Sequence, residues 1–282
     1  MVSESPFFKG RCPEDRGILF LAVQPPTWGL DRQVPLKDKN MRKVIFANGE
    51  YYHIYNRGVD KREVFLDDFD YARFIKSMWE FNTIDPIGSL YELNFRHKDL
   101  GVGPPIGGPT PKSELVQIIA YCLNPNHYHM ILKQVSENGI SEFMKRIGGG
   151  YTTYFNKKYD RSGALFQGRF KSIHIDTSEY LLHLSVYVNK NNFIHGYKNS
   201  GTKSPIGDLV PEFWQYSSYL DYIGKRDGKL CNKEVILGQF KNNQGSTSGS
   251  FEVEPFDNYR DFMQKTALYF KDKKEMEKYL LE

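Results

Sequence analysis

Two β-rich apolar runs, LVQIIAYCLN and HYHMILKQ, follow each other almost without interruption, and no other stretch constrains the fold of this chain as much. Strands so closely joined are expected to be antiparallel neighbours, because a parallel pair needs a long crossover between its members. The second run also alternates. Tyr128, Met130 and Leu132 share one parity and His127, His129 and Ile131 the other, so both imidazoles project from one face of a strand. Histidines two apart on a strand lie roughly 6–7 Å apart at the backbone, and from there both rings can converge on one divalent ion. The same spacing suits two hydrogen-bonded histidines on a half-buried strand. The pair by itself leaves both readings open.

The neighbouring segments set the fold class. KVIFANGEYYHIYNRG reads as a β-rich run that closes at Gly58, with Tyr51, His53 and Tyr55 on one face. LDDFDYARFIKSMWEFN predicts a helix capped by Asp67 or Asp68, with an apolar stripe of Phe74, Ile75, Met78, Trp79 and Phe81. Further strands are predicted near SLYELNFRH and at KSIHID, and a Pro/Gly-rich loop covers residues 99–113. A second helix is predicted over SEFMKRIGGGYTTYFNKKY, weakened by about 1 kcal/mol at each of Gly148, Gly149 and Gly150 and so locally flexible. Asp176 or Thr177 caps a third through SEYLLHLSVYVNKN, where Tyr187 and Asn191, four residues apart, share a helical face about 6 Å from each other, with His183 on the same stripe. The order β-α-β-β-β-α-β-α defines an α+β protein, a ferredoxin-like antiparallel sheet with helices packed on it. There is no internal repeat.

Composition narrows the partners. The chain has 282 residues, and its mean hydropathy of -0.56 comes with no apolar run long enough to span a membrane. GILFLAVQPP is short, broken by prolines and not followed by a convincing cleavage site. Cys12, Cys122 and Cys231 are far apart and form no C-x-x-C, which argues against a disulfide framework or a thiolate zinc site and for reducing surroundings. A cytoplasmic protein without membrane association is expected. Residues 141–200 hold nine Lys and Arg against four acids, although the whole chain carries only +4. Tyr151, Tyr154, Phe155, Tyr159, Phe166 and Phe170 are interleaved with those charges. Cations that neutralise phosphates beside rings that stack on bases suit single-stranded nucleic acid. A solvated helix face over ordinary core aromatics has the same composition.

NPNHYHMIL, LFQGRFKS, YVNKNNFIHG and the opening YYHIYNRGVDKREVF together resemble the single-tyrosine HUH transposases (IS200-like), above all the REP-associated tyrosine transposases of bacteria. These motifs fall in the family's order across residues 45–224, and WQYSSYLDYIG resembles its usual continuation. The resemblance implies an HUH endonuclease fold with His127 and His129 as metal ligands, Asn191 as the amide completing the site, and Tyr187 as the nucleophile. It implies Mg²⁺ or Mn²⁺ as cofactor and single-stranded or hairpin DNA, such as a REP hairpin, as partner. Cleavage would leave a 5′-phosphotyrosine and a free 3′-hydroxyl able to rejoin strands in transposition. A nucleoid-associated protein, monomer or homodimer, follows. Arg57, Lys61 and Arg62 after the first strand, and Arg146, Lys157, Arg161, Arg169 and Lys171 around the aromatic segment, are expected to contact the DNA backbone. The implied organisation is an N-terminal extension at 1–40, flexible or else upstream of a true start at Met41, a catalytic domain at 41–200, and a helical extension at 201–282 with a linker at 242–250. The chain departs from the family in Asn191-Asn192, where Asn-Pro is frequent, and in its leader and its longer Pro/Gly loop.

Two other functions fit parts of this pattern. A catalytically silent DNA-binding protein derived from a transposase would keep the basic segment and lose the chemistry. A metal hydrolase using activated water needs a base such as Glu beside its ligands, and NPNHYHMIL contains none.

Overall fold

The computed structural model describes residues 44–88, 90, 113–195, 214–241 and 255–272. The expected extension at 1–40, the linker at 242–250, and most of both the SLYELNFRH strand and the Pro/Gly-rich loop lie outside the described residues. The four strands are β1 (Tyr51–Arg57), β2 (Val116–Asn124), β3 (His127–Gln134) and β4 (Lys171–Ile175). They form one antiparallel sheet in the order β2-β3-β1-β4. With α1 (Asp68–Glu80) between β1 and β2, and α2 (Gly139–Lys158) between β3 and β4, this is the split βαβ arrangement of a ferredoxin-like α+β fold.

Period-two alternation gives the sheet two unlike faces. On one, Tyr128 packs with Phe74 of α1, and Phe74 with Tyr151 of α2, at ring separations of 5.3 and 5.0 Å. The side chain of Asp67 caps α1 by accepting from the Asp70 amide at 3.0 Å. α2 runs unbroken through Gly148–Gly150, so the flexibility expected there does not interrupt the helix. One of those glycines has a packing reason: a Cβ on Gly150 would come within 3.0 Å of the Phe81 ring at the end of α1.

The other face is covered by α3 (Ser178–Asn189), the single turn α4 (Asn191–Ile194) and, outside them, α7 (Pro255–Asp272). Thr177 supplies the α3 cap, accepting from the Tyr180 amide at 3.1 Å. The helix expected to continue through Asn191 opens at Lys190, which has φ -106 and ψ 13. Buried Asn189 explains part of this break, since its side chain accepts from Ser218 Oγ at 2.6 Å and donates to Tyr259 Oη at 3.2 Å.

The outer edge of β2 is closed by residues 214–218, just before the short helix α5 (Tyr219–Tyr222). Leu123 N donates to the Tyr216 carbonyl at 3.0 Å, Ser218 N to that of Tyr121 at 2.9 Å, and the Trp214 indole to that of Leu123 at 2.8 Å. α6 (Glu234–Lys241) packs against α7. Among the described residues no helix is long and apolar enough to cross a membrane.

Candidate active site

Strand register assembles the candidate site. β1 and β3 pair so that Arg57 faces His127, Tyr55 faces His129 and His53 faces Ile131, while β2 brings Asn124 opposite His127 and Cys122 opposite His129. All of these share the parity of the histidine pair and point toward α3 and α4. The two imidazoles lie 5.1 Å apart between ring centroids and perpendicular to one another.

Each ring is oriented from behind. His127 Nδ1 lies 2.6 Å from Asn126 Oδ1, and the Asn126 amide is itself fixed by donating Nδ2–H to the Lys61 carbonyl at 3.2 Å. The proton of His127 therefore sits on Nδ1, and Nε2 keeps its lone pair. That nitrogen is 3.2 Å from Asn191 Oδ1 and 2.9 Å from Asn124 Nδ2. His129 Nδ1 is hydrogen-bonded to His53 Nε2 at 2.9 Å, leaving its Nε2 on the side away from β1. Burial lowers the pKa of all three rings: His53 to about 3, His127 to about 4 although the Asn191 oxygen favours its protonated form, and His129 well below its ordinary value. Neutral imidazoles with an outward lone pair are what a divalent ion requires. Burial also pushes the Cys122 thiol up to about 12, so it stays protonated.

Tyr187 projects from α3 onto this group. Its ring lies 5.5 Å from His129 and 6.3 Å from His53, edge-on to both. It is only 2% exposed, with the rings of Phe270 of α7 at 6.0 Å and His195 at 6.5 Å also beside it. His127, His129, Asn191 and Tyr187 thus come together, whereas His183 on the expected stripe packs against Phe262 of α7 instead. Among the described residues no three His, Cys, Asp or Glu side chains form a group able to hold an ion. The donor set that fits one is two imidazoles and a carboxamide, and the Asn191 amide is aligned for it: Oδ1 faces His127 while Nδ2 is buried without a hydrogen-bond partner.

The basic residues divide into groups. Arg57, Lys61, Arg62, Arg169 and Lys171 gather at the His127 end of the sheet, where the Leu165 carbonyl accepts from Val59 N at 3.0 Å and the Arg57 carbonyl from Gln167 N at 2.7 Å. Lys171 lies 5.7 Å over the Tyr55 ring. Arg161 donates to Asn156 Oδ1 at 3.2 Å near the end of α2. Arg146 is a structural clamp: its side chain, 13% exposed, pairs with Glu142 at 2.9 Å and donates to the carbonyls of Phe81, Thr83 and Ile84. Lys157 lies on α2, in a cavity of about 820 Å³ with Arg73, Lys145, Lys158 and Tyr154. That cavity is on the α1/α2 side of the sheet, away from Tyr187.

Sequence reasoning missed His53, Asn124, Asn126 and His195 as site residues. The first three touch a candidate ligand, and His195 lies 5.8 Å from His127 between ring centroids. His53 carried one legible signal, its shared parity with Tyr55 on β1.

A ferredoxin-like sheet bearing paired imidazoles, a carboxamide and a tyrosyl ring on one face is the arrangement implied by the sequence resemblance to single-tyrosine HUH transposases. Residues 110–191, from just before β2 through Asn191, match the family model described as "Transposase IS200 like", which bears out that resemblance at the level of the family. A solved structure described as "Structure of the REP associates tyrosine transposase bound to a REP hairpin" is similar over 76% of this chain and 96% of that chain, at 13% identity and a TM-score of 0.42. No curated protein matches the chain significantly.

Proposed function

We propose that this protein is a metal-dependent single-stranded DNA endonuclease and strand transferase that works through a covalent 5′-phosphotyrosine. The observation that carries this reading is the Tyr187 ring lying 5.5 Å from His129, within the same buried group as His127 and Asn191. Tyr187 Oη gives up its proton to solvent and attacks the scissile phosphorus, the bond to the 3′-oxygen breaks, and the displaced strand leaves with a 3′-hydroxyl once that oxygen takes up a proton from solvent, so that no net proton is gained or lost. One difficult step becomes two easier ones, because the phosphotyrosine conserves the bond energy for rejoining. A phenol with an ordinary pKa near 10 is a poor nucleophile at neutral pH, so its surroundings must favour the attack. His127, His129 and Asn191 would hold a Mg²⁺ or Mn²⁺ ion that, when bound, polarises the phosphate oxygens. Asn126 and His53 keep the two imidazoles in the orientation that presents Nε2.

Arg57, Lys61, Arg62, Arg169 and Lys171 lie where they can track a strand entering from the His127 end, with Arg161 and Lys157 contacting backbone further away. The preference for hairpin repeats, and action at the bacterial nucleoid, rest on the sequence resemblance. A second reading, a catalytically silent DNA-binding protein, is favoured by one feature: Tyr187 is 2% exposed, with Phe270 beside it. Incubating wild type and Tyr187→Phe with labelled hairpin DNA and Mn²⁺ separates the two. A denaturation-resistant adduct is expected in wild type, lost in the variant and on adding EDTA. An adduct that persists in Tyr187→Phe moves the nucleophile elsewhere, and none in wild type leaves the silent reading.

A further inference from the structure

Asn124 is the last residue of β2, 0% exposed, and the family's expected ligand set does not include it. Its Nδ2 donates to Asn191 Oδ1 at 2.5 Å and lies 2.9 Å from His127 Nε2, and those two acceptors are 3.2 Å from each other. Three side-chain heteroatoms from three elements thus form a small triangle. Adjacent donors on one octahedral ion with bonds of 2.0–2.1 Å are separated by about 3 Å, so the triangle already has the dimensions of one face of a coordination shell. The lone pairs that Asn124 now satisfies are those an ion needs. An amide N–H left facing a cation would be repelled, and at this depth water is not at hand to take the hydrogen bond.

We propose that Asn124 is a fourth protein ligand, whose carboxamide donates Nδ2–H to His127 and Asn191 in the ion-free protein and rotates to offer Oδ1 when a divalent ion binds; this rests on the metal-dependent reading above. Rotation about Cβ–Cγ exchanges two atoms of nearly equal size, so the strand need not move. The interaction given up is weak, a Cys122 Sγ–H contact to Asn124 Oδ1 at 3.6 Å. After rotation Nδ2 faces the same sulfur, which accepts weakly. Asn124 thereby keeps the site satisfied in both states.

The test is Mn²⁺ binding to the full chain without DNA, by calorimetry and by the electron paramagnetic resonance of free Mn²⁺, for wild type, Asn124→Ala, Asn124→Asp and His127→Ala. Thermal melts in EDTA monitor folding. Asn124→Ala is expected to bind Mn²⁺ about tenfold or more weakly. Asn124→Asp is expected to bind at least as tightly as wild type, because a carboxylate oxygen needs no rotation, and to gain more thermal stability on Mn²⁺ addition. Wild-type or tighter affinity in Asn124→Ala would make the residue a plug and overturn the proposal. If Asn124→Ala fails to fold, weaker binding by Asn124→Asp overturns it. Failure of the underlying reading looks different: wild type binds no Mn²⁺, or His127→Ala binds as well as wild type.

Discussion

Asp70 offers a sharp test of how the helical layer opposite the candidate site is held. Its side chain has no solvent exposure, yet its carboxylate accepts four hydrogen bonds: from Leu66 N at 2.8 Å, Lys158 Nζ at 2.8 Å, Tyr159 Oη at 2.8 Å and Tyr154 Oη at 3.1 Å. These link the start of α1 to the end of α2. Removing one member of a buried ion pair costs about 3–5 kcal/mol. Lys158 would keep Asp67, at 2.7 Å, which argues for the low end of that range. The Leu66 amide and two phenols lose an acceptor, and a buried polar group left unsatisfied adds about 1–3 kcal/mol. Asp70→Ala should therefore lower the unfolding free energy by about 3–5 kcal/mol, read as a shift of the urea midpoint at constant m-value. In the cycle with Lys158→Met, the double variant should lose less than the sum of the singles. A loss below about 1 kcal/mol, the size of an exposed pair, would refute the argument.

His53→Phe keeps a ring of similar size and removes the partner of His129 Nδ1; Mn²⁺ affinity should fall about 10–100-fold, and an unchanged affinity would show that His129 needs no such support. Arg169→Ala should weaken single-stranded DNA binding and lower the salt slope by about 0.7. Arg146→Ala should instead lower stability and leave that slope unchanged; a reduced slope there would return Arg146 to the DNA surface.

The site is only partly legible in sequence, for physical reasons. Parity along one strand is a local property, so the common face of His127 and His129 can be read directly. Asn124 and His53 join them only through register, which depends on how β1 and β2 slide against β3. His53 is separated from its partner by 76 residues. Charge counting could not separate Arg146 from Arg169, since what distinguishes them is the set of carbonyls after α1 turned toward one guanidinium. The break at Lys190 carried no proline or glycine. No local signal marks it, because Asn189 is held by Ser218 and Tyr259, distant in the chain.

The closure of β2 by residues 214–218 separates two lengths that the family match alone would merge. The stretch matching the IS200-like family ends at Asn191. A fragment cut after residue 195 would retain Tyr187, His127, His129, Asn124 and Asn191, but would strip β2 of its Leu123–Tyr216 and Ser218–Tyr121 hydrogen bonds. A bare hydrogen-bonding edge of that kind is a template for pairing with another copy. Such a fragment should be recovered as aggregates, while one extended past Arg226, which anchors the same segment through the Ser217 carbonyl at 2.6 Å, should stay monodisperse in size-exclusion chromatography. The shortest piece that contains the candidate site is therefore expected to be shorter than the shortest piece that can be purified.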